Sequence, residues 1–166
     1  MRALTNLTMF LNKAVEYLVS SFMGLIVVAI CWQVFSRYIL GSPSAISGEL
    51  ARYLLIWIGL FGAAHGYRHR VHLSLSLFTE KFSELGQKLT RLLSHVMVFC
   101  FAIAVMCVGG IKLVLLTLQP VQLSPVLEIK IAYVYVAIPV VGVIIAINAL
   151  VFLLSEMRNS IASTKG

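Results

Sequence analysis

The chain has no aspartate in its 166 residues, and its six acids are all glutamates: Glu16, Glu49, Glu80, Glu84, Glu128 and Glu156. None lies inside a long apolar run. That pattern excludes paired carboxylates for acid–base chemistry, and it excludes the intramembrane acids of a proton relay or ion pathway. Cysteine is scarce as well. Cys31, Cys100 and Cys107 all fall in apolar segments and form no CxxC pair. Cys100 and Cys107 share a helical face, but two turns set them roughly 10 Å apart, too far for a disulfide. They read as small apolar fillers. A phosphate-binding glycine loop and a Ser-His-Asp arrangement are both missing, so no enzyme site is expected, and neither a cofactor nor a metal. Charged residues of either sign make up only 11% of the chain, too few to cover the surface of a soluble domain of this length.

What is present is apolar. Sixty per cent of the residues are hydrophobic and the mean hydropathy is +0.98. Four stretches carry no Lys, Arg or Glu: Tyr17–Ser36, Tyr53–Tyr67, Leu92–Ile111 and Ile131–Ser155. The first and third match the roughly 30 Å hydrocarbon core at 1.5 Å per residue, and the fourth has length to spare for tilt. The second is short and must borrow from its flanks. The expected fold is an all-α integral membrane protein in one domain, residues 1–166. Its four transmembrane helices are expected at approximately 15–38, 48–69, 91–117 and 130–155. The N-terminal run is too long for a cleaved signal peptide and lacks a small-x-small site, so it is read as the first span.

The net charge of +7 comes from residues at the ends of apolar segments, not from a basic stripe with interleaved aromatics. It argues for membrane topology and against nucleic acid. Arg2, Lys13, Arg68, Arg70, Lys81, Lys88, Arg91, Arg158 and Lys165 fall on one side of a four-span layout. Arg37, Arg52, Lys112 and Lys130 fall on the other. The bias puts both termini and the central loop in the cytoplasm.

Within that loop Val71, Leu75, Phe78, Phe82, Leu85 and Leu89 recur at steps of four and three, with polar residues between them. This predicts an amphipathic helix at approximately 72–89, lying in the interface or packed on a partner protein. The outer loops carry breakers: Gly41 and Pro43 in the first, Pro120 and Pro125 in the second. Ser47 is the expected N-cap of span two. Pro139, well inside span four, should bend it by removing one backbone hydrogen bond.

Arg37 closes the first helix, and Glu49 and Arg52 open the second as i,i+3 neighbours. They are expected to form a charged cluster pinning the two helices, with snorkelling toward headgroups as the alternative. Lys112 should snorkel outward. His65, His69 and His72 are spaced to share a face compatible with a metal, although no cysteine or aspartate accompanies them. His65 and His95 are a conceivable haem pair, but a second ligand pair is missing. Gly62 and Gly66 form a GxxxG spacing, with Gly59 and Ala63 beside it, which suggests that span two faces protein. Trp57 reads as a packing residue.

One further pattern extends over residues 32–75. Trp32-Gln-Val-Phe-Ser-Arg37-Tyr is followed by a Gly-Ser-Pro loop, then Gly48-Glu-Leu-Ala-Arg-Tyr-Leu-Leu-Ile-Trp57-Ile-Gly-Leu-Phe-Gly-Ala-Ala64, then Arg70-Val-His72. Together with Tyr135, Pro139 and Gly142 in the last span, it resembles the small membrane subunit of tripartite ATP-independent periplasmic (TRAP) transporters, the DctQ-like family. One departure is Ile46, where that family often has tryptophan. The resemblance implies a multi-pass protein of the bacterial inner membrane, paired tightly with a large elevator-type subunit. It also implies a periplasmic binding protein that delivers an organic acid, such as a C4-dicarboxylate or sialic acid, with sodium coupling in the partner. The small subunit would then act as scaffold, and its outer loops could touch the binding protein. Two other classes remain open from the residues themselves. One is a cytochrome b-like anchor of an electron-transfer complex; the other is a small stand-alone transporter or channel.

Overall fold

The computed structural model describes the backbone of residues 2–42, 44–79 and 84–163, and the side chains of residues 8–42, 44–68, 86–87 and 89–156. Helix α1 (Arg2–Tyr38) leads through a short turn into α2 (Ala45–Thr79). The third long rod has three parts: α3 (Glu84–Phe101), a π-helical segment (Ala102–Gly109) and α4 (Gly110–Leu118). The fourth is α5 (Ala132–Tyr135) followed by α6 (Ala137–Ser163). Four stretches are long and apolar enough to cross a membrane: Thr8–Tyr38, Ala45–Arg68, Leu89–Leu118 and Ala132–Glu156. Helices suit that setting because lipid offers no partner to a backbone N–H or C=O, so each segment must satisfy its own. Among the described residues the one strand-like feature is an isolated bridge between Leu123 and Lys130 in the outer loop.

The second span gains its length by drawing Ser47, Glu49 and Arg52 into the helix. The amphipathic helix expected at approximately 72–89 falls partly on α2, which runs to Thr79, and partly on α3, which begins at Glu84. Residues 80–83 and the side chains of 69–85, including His72, lie outside the described residues.

Helix α6 is the hub, packing on α3, the π-helical segment and α2, while α1 lies mainly along α2. The core holds Val15, Phe61, Ala64, Ala102, Ala137, Val141, Ile144, Ile145 and Ala146. Alanine is frequent in it because apolar attraction between helices is weak in lipid, so close backbone approach supplies the packing energy. The approach is tightest where the third rod meets α6. A methyl group on Gly142 would lie 2.7 Å from Met106 Cβ and 3.0 Å from Cys107 Sγ, and one on Gly110 would lie 2.9 Å from Pro139 Cδ.

Pro139 cannot donate to the Tyr135 carbonyl, and the helix is interrupted at Val136, one turn ahead of it. The π-helical segment lies opposite this break: the Cys107 thiol points at the Pro139 carbonyl at 3.9 Å, a weak contact. Both rods therefore depart from regular α geometry at the same level.

Candidate functional site

The polar groups buried in this bundle sit near its two ends, with apolar residues between. At the end bearing the two short loops are Ser36, Ser47, Glu49, Thr117 and Ser124; toward the other end are Thr8, Asn12, His95 and Asn148.

The loop end is built around Glu49. The Ser36 hydroxyl donates to the Ser42 carbonyl, and Gly41 takes the left-handed conformation (φ 66°) that turns the chain. Ser44, not Ser47, is the N-cap of α2, because the helix starts at Ala45. The Ser47 N–H donates to Ser44 Oγ at 3.4 Å, the geometry of a capping hydroxyl, while the Ser47 hydroxyl donates back to the Ser44 carbonyl at 3.0 Å. Glu49 therefore sits in the second turn, and it is only 5% exposed. Its Oε1 accepts from the Tyr53 hydroxyl at 2.9 Å, and its Oε2 accepts from the backbone N–H groups of Val126 and Leu127, each at 3.0 Å. The Ser124 hydroxyl is buried beside the same carboxylate and Tyr53, but makes no hydrogen bond of good geometry there.

The donating loop is itself closed. Ser124 N–H donates to Ile129 O, Glu128 N–H to Ser124 O and Ile131 N–H to Gln122 O, with Glu128 at a left-handed φ of 54°. Glu49 thus fastens the loop between the third and fourth spans onto the start of the second. Three donors around one buried carboxylate make charge-assisted bonds, stronger than neutral ones.

The expected cluster of Arg37, Glu49 and Arg52 does not form. Both arginines are exposed, and neither makes an ion pair with Glu49. The reason is desolvation: two main-chain N–H groups and a phenol satisfy the carboxylate without removing a guanidinium from water.

The opposite end is tied by neutral groups. The Asn12 amide donates to the Thr8 carbonyl and, at 3.1 Å, to Asn148 Oδ1; Asn148 Nδ2 returns a bond to Asn12 Oδ1 at 3.4 Å. Arg68 reaches the same Asn148 oxygen at 3.5 Å. These contacts join α1, α2 and α6. Alongside, the Tyr67 hydroxyl and His95 Nδ1 are 3.0 Å apart, His95 stacks on Phe152 at 5.3 Å, and Tyr67 meets Phe152 edge-on at 5.9 Å. This second group joins α2, α3 and α6.

Neither asparagine stands out when only charged residues and histidines are sought. The available signal was a side chain with four hydrogen-bonding sites in an apolar run, which needs a partner of its own kind.

The remaining candidates fall as follows. Trp57 is half-buried, edge-on to Phe22 at 5.9 Å and stacked on Phe61 at 5.6 Å, so it packs α1 on α2. Gly62 and Gly66 meet nothing within 4 Å, so the glycine row is not used inside this chain. The close approaches are made by Gly110 and Gly142 instead. Among the described residues no group of three His, Cys, Asp or Glu side chains is placed to hold a metal, while the side chains of His69 and His72 lie outside that set.

These features define a class, the multi-span α-helical membrane protein with an apolar body and polar fastenings near its ends. Residues 26–159 match the family model described as the tripartite ATP-independent periplasmic transporters, DctQ component. The chain belongs to that family. It is 30% identical over 100 residues to a protein of Haemophilus influenzae named for the small permease of a TRAP transporter, a match spanning 59% of this chain and 62% of the relative. It is also 30% identical over 74 residues to the sialic acid TRAP transporter small permease protein SiaQ of Vibrio cholerae, spanning 45% of this chain and 43% of that one. The matched stretches thus cover less than two thirds of either relative.

Proposed function

We propose that this chain is the fixed scaffold subunit of a binding-protein-dependent secondary transporter of the inner membrane, working beside a large transporting subunit. Family membership over residues 26–159 is the observation that carries the reading. The distribution of buried polar groups supports it. Between the two ends the interior is Ile26, Ala29, Leu54, Phe61, Ala64, Ala102, Val141 and Ile144, with no charge among the described residues for a solute to meet at midplane. A protein that carried an organic acid unaided would need polar groups at that depth.

The substrate class follows by analogy. An organic acid is expected, with sialic acid favoured by the SiaQ relative over a C4-dicarboxylate. Sodium coupling belongs to the partner subunit, and both termini belong in the cytoplasm on the charge bias described above.

The test is affinity purification of the tagged chain from its native membrane in mild detergent, with mass spectrometry and an absorbance spectrum of the product. An equimolar large polytopic partner, and loss of organic-acid uptake on deleting this chain, is the expected result. A chain that purifies alone, or carrying a Soret band, overturns it.

A further inference from the structure

The geometry points to a phospholipid site on the loop half of the bundle: an acyl chain held in the groove between α1, α2 and α5, with an anionic headgroup over Lys130. The groove has a volume of about 220 Å³, is open on one side, and is lined by Phe22, Leu50, Tyr53, Trp57, Ile129 and Tyr133 among others. That volume lies below the roughly 300 Å³ at which pockets for whole small molecules begin, so the space suits a slim chain. Three lining side chains carry a polar group, Tyr53, Trp57 and Tyr133, and the Tyr53 hydroxyl already donates to Glu49. The surface the groove presents is almost wholly apolar, which suits an acyl chain better than a polar ligand.

The groove also has the direction a lipid needs. It starts at Ile129, in the closed outer loop, and ends at Phe22 and Trp57, near the middle of spans one and two. At its outer end Lys130 lies between the lining residues Ile129 and Tyr133 in the chain, is exposed, and makes no ion pair among the described residues. The exposed charge toward this end of the bundle is one-sided: Arg37, Arg52, Lys112 and Lys130 are all exposed, against the exposed carboxylate of Glu128. Glu49 adds none, since its carboxylate is turned into the protein. An apolar slot with an exposed, unpaired lysine at its outer end complements an anionic phospholipid. This inference rests on the membrane-spanning character of the helices and stands whether or not the transport reading does.

The test reconstitutes the protein with its co-purifying partners into nanodiscs containing a phosphatidylglycerol whose acyl chain bears a diazirine. Crosslinked peptides are mapped after illumination, with a phosphatidylcholine of the same chain as the control. Crosslinks concentrated at residues 50–57 and 129–134, stronger for the anionic lipid, are expected. Lys130→Gln should weaken them roughly fivefold, the effect of about one interfacial charge. Leu50→Trp, which fills the groove, should abolish them while the crosslinks along the exposed face of α1 stay unchanged. Uniform labelling of every lipid-facing helix would reduce the site to bulk lipid and overturn the proposal. So would labelling of the groove that appears only when the partner is stripped away, because a partner side chain would then be its occupant. Lys130 is an exposed loop residue, so the test survives even if the tryptophan variant does not fold.

Discussion

Spans one and four are almost equally apolar, with mean hydropathies of 2.2 and 2.7 over their most apolar stretches, yet they are used in opposite ways. Within the chain, span four buries 44% of that stretch and span one only 11%. Hydropathy reports that a segment will leave water. It does not report whether the segment meets protein or lipid. Side-chain size carries that second message: α6 brings Ala137, Val141, Gly142, Ala146 and Ala149 into contact, whereas α1 turns Phe10, Tyr17, Val28 and Trp32 outward.

Glycine substitutions break the contrast most sharply. Gly142→Val pushes a side chain into Met106 and the Ala102 carbonyl and should cost about 1–3 kcal/mol, read as a lower unfolding temperature of the detergent-solubilised protein. Gly24→Val, in open space on α1, should leave that temperature almost unchanged. A smaller effect is expected at the loop end. Glu49→Ala removes the acceptor of the Val126 and Leu127 N–H groups, and their hydrogen exchange should quicken on the order of tenfold. Arg37→Gln should leave those amides alone, because Arg37 is not paired with Glu49.

At the other end a double-mutant cycle of Asn12→Ala and Asn148→Ala should give a coupling of about 0.6 kcal/mol, the usual size for an interhelical hydrogen bond in a membrane. The smallest change is expected from Val28→Ala on the outer face of α1, within about 0.5 kcal/mol of the parent. If that substitution instead releases a co-purifying subunit, the exposed face of α1 is a contact surface for it, and the low burial of span one has its explanation.

Much of the architecture was legible in the sequence. The four apolar runs are a consequence of bilayer thickness, and the break ahead of Pro139 follows from a missing N–H. The π-helical segment was not legible. Ala102–Gly109 is a featureless apolar run, and its change of hydrogen-bond register answers α6 packing from the side. The partners of Glu49 were hidden for a related reason. Its burial beside a loop was within reach, but main-chain N–H groups 77 and 78 residues away leave no mark in the sequence, whereas the nearby arginines are conspicuous. The N-cap moved from Ser47 to Ser44 because both are serines in the same short loop, and only backbone geometry chooses between them. The reciprocal amides of Asn12 and Asn148 carry no charge to mark them in the sequence, and the 136 residues between them hide the pairing.

The Glu49 fastening has a consequence for how this protein can diverge. A carboxylate that grips the main chain is indifferent to the side chains the loop displays there. Valine and leucine at positions 126 and 127 could be exchanged for almost any residue, and the outward surface re-lettered for a new neighbour, while the clasp stayed shut. Proline is the exception at either position, since it alone would arrive without a hydrogen to offer.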